Sequence, residues 1–81
     1  MSIEINESGD RKWKNKEGRL HRENGPAVEW NNGDKIWFIN GELHREDGPA
    51  IERSDGIKKW WINGTKYTKE EYLKYINKSV K

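Results

Sequence analysis

The sequence predicts an all-β fold, an antiparallel meander of tandem hairpin repeats of about 23 residues that ends in one short capping helix. Residues 20–27 read LHRENGPA and residues 43–50 read LHREDGPA, so seven of eight positions agree at an offset of 23. Asn-Gly pairs separate the apolar runs, and a helical pattern is confined to the C-terminus. These features together predict a single β-repeat domain over residues 1–81.

The repeat extends on both sides of this block. Trp37 aligns with Trp60 at an offset of 23, and Trp13 aligns with Trp37 at an offset of 24, because the first copy has one inserted residue. The copies cover about residues 9–33 and 34–56, and a partial third copy covers about residues 57–67.

Turn chemistry divides each copy into strands. Asn40-Gly41 and Asn63-Gly64 each predict a type I′ turn, because both central residues of such a turn need a positive φ. Further turns are expected at residues 16–18, 31–34 and 54–56, which contain Gly beside Asn, Asp or Glu. The predicted strands cover residues 2–6, 11–16, 19–22, 27–30, 35–39, 42–45, 50–53, 57–62 and 65–67.

The core is expected to be aromatic. Only 31% of the residues are hydrophobic, yet the chain has five Trp, three Tyr and one Phe. Each buried aromatic ring removes about 150–250 Å² from water, which compensates for few aliphatic residues. Because side chains alternate along a strand, Trp37 and Ile39 share one face and Ile36 and Phe38 share the other. The face of Trp37 and its equivalent Trp60 is the predicted core face.

A capping box predicts the C-terminal helix. Thr68 stands at the N-cap position and Glu71 three residues later, so each side chain can bond the other's backbone amide. Apolar side chains then recur at helical spacing, at Tyr72, Leu73, Ile76 and Val80. A helix over about residues 69–79 is expected to cover one end of the sheet, because a terminal repeat lacks a neighbour.

Composition argues against several classes of protein. There is no Cys, so neither a disulfide framework nor a Cys-based zinc site is expected. The net charge of +2 creates no strong field toward nucleic acid or membranes. The N-terminus is too short and too acidic for a signal peptide, and no apolar stretch is long enough to span a membrane. The expectation is a soluble, cytoplasmic protein without a cofactor.

The segment WFINGELHREDGPA, at residues 37–50, resembles the short hairpin repeats of the MORN-variant type, which occur in many bacterial and bacteriophage proteins. The resemblance covers about residues 9–67 and implies scaffolding or binding. A small Cys-free chain of this kind is similar to phage accessory proteins that bind and inhibit host factors. The resemblance therefore implies a protein partner, namely a host defence protein.

The polar motifs of the repeat favour a structural role over catalysis or metal binding. No nucleophile stands with a base and an orienting acid in a recognisable spacing, so catalysis is not expected. His21 and His44 lie a full repeat apart, which favours bonds to backbone over a metal site. Arg22 and Arg45 offer bidentate forks for a phosphate or carboxylate, but the neighbouring acids favour a ladder of cross-strand ion pairs between repeats.

Positions that differ between copies are the candidates for binding. Trp30 is replaced by Arg53 in the next copy, and Trp61 stands where the second copy has Phe38. Aromatic side chains beside lysines suit a protein hot spot or stacking on a nucleic-acid base. The alternative is that the two Trp pack against each other or under the helix. The predicted binding residues are Trp30, Trp61, Lys58, Lys59, Arg22 and Arg45.

Three functions follow from these patterns. The leading one is a non-catalytic module that binds and inhibits a host protein. The second is a protein that binds nucleic acid or a nucleotide signal through Lys, Arg and Trp. The third is a structural protein that assembles with itself through unpaired sheet edges.

Overall fold

A computed structural model describes residues 2–79 as short antiparallel strands followed by one helix. Val80, which was expected to continue the helical pattern, lies outside the described residues. The predicted fold class, an antiparallel β meander with one C-terminal helix, is confirmed. The elements are β1 (Ser2–Ile5), β2 (Arg11–Lys14), β3 (Val28–Glu29), β4 (Lys35–Ile36), β5 (Phe38–Ile39), β6 (Glu42–Leu43), β7 (Ile51–Glu52), β8 (Lys58–Ile62), β9 (Thr65–Tyr67) and α1 (Lys69–Ser79).

Seven of the strands form one sheet in the order β1-β2-β3-β4-β7-β8-β9, and β5 pairs with β6 in a separate hairpin. The strand predicted over residues 35–39 is split at Trp37, so that its first half belongs to the large sheet and its second half to the hairpin. β8 divides its pairing in the same way, because its first residues pair with β7 and its last three pair with β9. The β5–β6 hairpin is thus a separate sheet, whereas β8 and β9 remain at the edge of the large one.

The predicted strand over residues 19–22 is reduced to a single bridge between Leu20 and Lys14. Beyond Leu20 the chain turns toward the following copy, where the Arg22 amide donates to the Phe38 carbonyl at 3.1 Å. The strands predicted over 27–30 and 50–53 are also shorter, with two residues each. The amide of Trp30 closes a turn on the Asp34 carbonyl at 2.9 Å instead of extending the ladder.

The Asn-Gly turns adopt the predicted type I′ conformation. Asn40 and Gly41 have φ of 50° and 83°, and Asn63 and Gly64 have φ of 48° and 80°. Each turn also joins its hairpin to the preceding one, because the Gly41 amide donates to the Leu20 carbonyl at 2.7 Å. The Gly64 amide makes the corresponding bond, 2.8 Å long, one copy later. Successive hairpins therefore stack through backbone hydrogen bonds.

Aspartates at the opposite end of the sheet join one turn to the next. Asp10 accepts from the Asn31 amide at 2.7 Å, and Asp34 accepts from the Ser54 amide at 2.6 Å. A hydrogen bond from the Asn6 side chain, followed by the one from Asn31, lowers the pKa of Asp10. The Ser54 amide is the main cause of the lowered pKa of Asp34. These bonds favour the folded state at neutral pH and lose that effect as acid protonates the carboxylates.

The buried core is smaller and less aromatic than the sequence predicted. Trp37 and Trp60, the expected core residues, are only half-buried. The protein measures 41 × 31 × 17 Å, so most of the sheet has no second layer that could cover a large ring. Small and medium side chains occupy the most enclosed positions instead. The buried residues are Trp13, Ala27, Val28, Ala50, Ile62 and Tyr72.

The helix α1 begins at the predicted capping box. The Glu71 amide donates to Thr68 Oγ1 at 3.1 Å, and the Thr68 amide donates to Glu71 Oε1 at 3.0 Å. The helix packs on β8, where the rings of Tyr72 and Trp60 lie 6.4 Å apart. It covers the last copy, as expected for a cap. Within residues 2–79 no helix is long and apolar enough to cross a membrane.

Candidate functional site

The guanidinium groups of two arginines lie over the rings of two tryptophans at equivalent positions of the first two copies. The guanidinium carbon of Arg22 is 3.9 Å from the centroid of the Trp13 ring, and that of Arg45 is 3.8 Å from the Trp37 ring. At this distance the cation is attracted to the negative face of the indole. Each arginine also shields an aromatic ring that the thin sheet leaves uncovered.

Glycines allow each arginine to approach its own loop. A Cβ on Gly25 would lie 3.0 Å from the guanidinium carbon of Arg22, and one on Gly48 would lie 2.9 Å from that of Arg45. Neither glycine has a positive φ. The glycines are therefore required for close approach and not for backbone conformation. The recurring Arg-x-x-Gly-Pro spacing is explained by this packing.

Carboxylates and a backbone carbonyl hold the Arg45 side chain, which is 18% exposed. Its Nε donates to Asp47 at 2.8 Å, and its Nη1 donates to Glu52 at 2.9 Å and to the Pro49 carbonyl at 3.0 Å. The equivalent Arg22 lies 3.5 Å from its glutamate and is 28% exposed. The sequence favoured ion pairs between repeats, but these arginine–glutamate pairs each lie within one copy. They are tighter in the second copy.

The two histidines bind backbone amides, as the sequence favoured. The Asn40 amide donates to Nδ1 of His21 at 2.9 Å, and the Asn63 amide donates to Nδ1 of His44 at 3.0 Å. Because a ring nitrogen that accepts is unprotonated, the proton of the neutral imidazole is on Nε2. Nε2 of His44 lies 3.1 Å from Glu46. Within residues 2–79 no group of three or more His, Asp or Glu side chains could hold a metal ion.

A groove of about 750 Å³ lies between the two loops that carry these arginines. Its floor is the half-buried pair of Trp37 and Ile39, and its rim is acidic and exposed. The side chains of Glu23, Glu46 and Asp47 on the rim are 75%, 70% and 86% exposed. We call it the Arg–Trp groove. It is lined by Arg22, Glu23, Asn24, Gly25, Trp37, Ile39, His44, Arg45, Glu46 and Asp47.

The other predicted site residues lie away from this groove. Trp30 is half-buried in a separate depression of about 310 Å³, where Lys12 Nζ is 5.3 Å from its ring. Trp61 is also half-buried, and its Nε1 is buried with no hydrogen-bond partner among residues 2–79. Lys58 is exposed opposite the Glu52 backbone on the neighbouring strand. Lys59, next to it, is half-buried.

The structure does not join Trp30 and Trp61 into one surface. Trp30 follows β3 and Trp61 is on β8, and β4 and β7 lie between those strands. With about 4.8 Å between neighbouring strands, this places the two positions about 14 Å apart across the sheet. Of the predicted binding residues, the structure brings only Arg22 and Arg45 into one groove. A binding role for Trp30, Trp61, Lys58 and Lys59 stays a prediction.

The sequence reasoning missed the aromatic partners of the two arginines. Trp37 was assigned to the core face by strand alternation, and Trp13 was noted only as its equivalent in the first copy. Gly25 and Gly48 were interpreted as turn residues, because each stands between Asn or Asp and Pro. A signal was nevertheless present, since Trp, Arg and Gly recur together at nearly constant spacing. Arg is enriched wherever planar stacking and bidentate bonds are needed at once.

A comparison of the chain with protein-family models, with curated proteins and with solved structures finds no match. The candidate site consists of the Arg–Trp groove and its acidic rim, and Tyr72 of the helix binds the second of its two loops.

Tyr72 binds the second loop, and its titration lowers the stability of the protein at high pH. Its hydroxyl donates to the Arg45 carbonyl at 2.6 Å and accepts from the Gly48 amide at 3.1 Å. Burial raises the pKa of Tyr72 above its ordinary value of 10.0. As the pH rises past that value, the unfolded chain releases this proton before the folded protein does. The stability that Tyr72 contributes is thus complete below pH 10.0 and is lost above it.

We expect Tyr72→Phe to lower the free energy of unfolding at pH 7 by about 1–3 kcal/mol, because two buried backbone groups lose their partner. We also expect the variant to lose less stability than the parent between neutral pH and pH 11, since the titrating group is gone. Urea titrations at several pH values measure both effects. The control is Tyr67→Phe, on the neighbouring strand β9. Identical pH profiles for parent and Tyr72→Phe would contradict the assignment.

Proposed function

We propose that this chain is a non-catalytic protein-binding module that holds its partner in the Arg–Trp groove. The observation that carries the proposal is the groove itself, with an apolar floor of Trp37 and Ile39 between two loops with charged, exposed tips. Protein interfaces combine an apolar centre with a polar rim. Trp and Arg are also the residues that most often contribute large shares of binding free energy.

The charges of the groove favour a basic polypeptide over a nucleotide. Arg22 and Arg45 already contact Glu29 and Glu52, so their positive charges are compensated. A phosphate would have to displace these carboxylates and approach an acidic rim. Lys and Arg side chains of a protein partner meet complementary charge at the same rim. The nucleotide or nucleic-acid function suggested by the sequence therefore has less support.

A finer version of the proposal concerns the biological setting. The resemblance of residues 9–67 to MORN-variant hairpin repeats, which occur in bacterial and bacteriophage proteins, supports an accessory protein of a phage or mobile element. In this version the chain acts in the host cytoplasm, where it binds and inhibits a host defence protein. The absence of Cys supports a reducing compartment.

The outer strand of the sheet favours a second candidate function, self-assembly. β1 is paired on one side only, and its Ile3 and Ile5 are 56% and 64% exposed. An unpaired edge can add a strand from another chain. A molar mass that rises with concentration, and that Ile3→Lys returns to the value for one chain, would support this function. A constant molar mass of one chain would exclude it.

The proposed function predicts that reversing one charge on the rim weakens partner binding. The immobilised protein is used to capture partners from bacterial lysate, and mass spectrometry followed by calorimetry identifies one and measures its affinity. We expect Glu23→Lys to weaken binding about tenfold or more, because it places like charges together. The matched control is Glu17→Lys, another exposed glutamate, on a turn outside the groove.

Two results would contradict the proposal. One is that no partner binds the parent protein with a defined stoichiometry. The other is that Glu23→Lys and Glu17→Lys bind the partner equally well. If instead nucleotides quench the Trp fluorescence with a steep dependence on salt, the nucleotide function is supported.

A further inference from the structure

The notch between the second loop and Trp60 is filled by the chain's own helix. The Tyr72 hydroxyl bridges the Arg45 carbonyl and the Gly48 amide, and its ring lies 6.4 Å from the Trp60 ring. Tyr72 is only 3% exposed there. We call this place, formed by Arg45, Gly48 and Trp60, the Gly48 notch. A tyrosine satisfies it through one ring contact and two hydrogen bonds.

The same notch exists one copy earlier, formed by Arg22, Gly25 and Trp37, and we call it the Gly25 notch. The backbone around the two notches is alike. The Arg22 amide donates to the Phe38 carbonyl at 3.1 Å, and the Arg45 amide donates to the Trp61 carbonyl at 3.1 Å. In both loops the guanidinium carbon would lie within 3.0 Å of a Cβ on the glycine. The Gly25 notch forms part of the Arg–Trp groove.

Nothing within residues 2–79 occupies the Gly25 notch as Tyr72 occupies the other. No described side chain accepts from the Gly25 amide or donates to the Arg22 carbonyl. The two indoles differ in their cation, because the Arg45 guanidinium carbon lies 3.8 Å from the Trp37 centroid, in direct contact, whereas Lys69 Nζ lies 5.9 Å from the Trp60 centroid. The missing group is the tyrosine.

The repeat explains why the chain cannot supply that tyrosine itself. In the third copy the Arg-Glu-Asp-Gly-Pro loop is replaced by the start of the helix, so that Thr68 aligns with Arg45. The first two copies keep their loops and have no helix of their own. A second copy of the chain is also a poor source, because its Tyr72 is already held in its own Gly48 notch.

We propose that the Gly25 notch binds a tyrosine on a basic helical segment of a partner protein, whose hydroxyl bridges the Gly25 amide and the Arg22 carbonyl. This inference rests on the proposed protein-binding function and names the chemistry of the partner. The acidic rim selects a segment with more basic than acidic side chains, because Glu23, Glu46 and Asp47 stand around the notch. Over residues 69–79 the chain's own helix has three lysines and two glutamates, which is a small basic excess.

The test adds a synthetic peptide with the sequence of residues 66–79 to the full ¹⁵N-labelled chain. We expect the NMR signals of the Gly25 amide and the Trp37 indole to shift, while the Gly48 amide, which Tyr72 already holds, stays in place. A matched peptide with Phe at the Tyr72 position should bind about tenfold more weakly, because the hydroxyl bridge is lost. Both peptides leave the protein unmodified, so the result does not depend on a variant that folds.

Three results would overturn the inference. In the first, the Gly25 signal does not respond to peptide, and in the second, the Tyr and Phe peptides bind equally. In the third, the Gly25 signal moves with protein concentration alone, which assigns the notch to a second copy. Capture of a partner that Glu23→Lys weakens, together with a silent Gly25 signal, overturns this inference and leaves the proposed function standing. A responsive Gly25 signal without any captured partner supports the notch and counts against the proposed function.

Discussion

Trp13→Ala is expected to lower the free energy of unfolding by about 3–5 kcal/mol, the usual cost of deleting a buried aromatic side chain. Trp13 is 8% exposed, and it is the only Trp among the buried residues of the described chain. Its replacement also removes the surface on which the Arg22 guanidinium lies. A domain of this size has a total stability on the order of 5–15 kcal/mol, so the variant should be largely unfolded well below the melting temperature of the parent.

The matched control is Trp30→Ala. Trp30 is half-buried under Lys12 and lies outside the core, so we expect its removal to cost about 1 kcal/mol. Denaturation in urea followed by circular dichroism compares the two midpoints, and an unchanged slope indicates a change in stability alone. Equal large losses for the two variants would place Trp30 in the core, and equal small losses would contradict the burial of Trp13. The same experiment shows whether Trp30→Ala is suitable for binding studies.

The elements that were predicted well are those specified by local chemistry. The Asn-Gly turns form because Asn40 and Gly41 tolerate positive φ, whatever packs around them. The helix begins where Thr68 and Glu71 satisfy each other's amides. Both features depend on residues within three positions in the sequence. A single sequence is enough to locate them.

The burial of the aromatic rings could not be predicted in this way. Alternation assigns Trp37 to a face, but it does not say whether another layer covers that face. The only described helix covers the last copy, so Trp37 is covered instead by Arg45, a loop residue eight positions later. The strand predicted over residues 19–22 is reduced to a single bridge for a related reason. There the chain leaves the ladder to place Arg22 over Trp13.

The sequence identified the two arginines of the candidate site but not the aromatic floor between them. Positions that differ between copies were favoured for binding, and Trp37, which recurs, was assigned to the core face. In the structure, Arg22 and Arg45 are equivalent residues but form opposite walls of one groove. A residue that is required by every repeat can therefore contribute to a binding surface as well. A comparison of the copies finds residues that differ between them. It overlooks a surface that is formed by equivalent residues of two adjacent copies.

Arg45→Met is expected to lower the free energy of unfolding by about 2–4 kcal/mol, through the loss of charge-assisted hydrogen bonds and of the stacked cation. Methionine keeps most of the alkyl stem, so the loss reports the guanidinium and not the packing. Arg22→Met should lower the free energy of unfolding by less, because Arg22 lies 3.5 Å from Glu29 whereas Arg45 lies 2.9 Å from Glu52. Arg22 is also followed by Asn24 at the position where Arg45 bonds Asp47.

Arg45→Lys separates the guanidinium fork from its charge. Lysine keeps the positive charge but cannot stack on Trp37 while it bonds Glu52 and the Pro49 carbonyl. We therefore expect Arg45→Lys to lose at least half of the free energy of unfolding that Arg45→Met loses. Urea midpoints measure these losses, and a double-mutant cycle with Trp37→Leu isolates the stacking contribution. Coupling of about 0.5–2 kcal/mol is expected between the two positions. If Arg45→Lys is as stable as the parent and the coupling is zero, charge alone holds the loop, and the walls of the Arg–Trp groove do not depend on the stack.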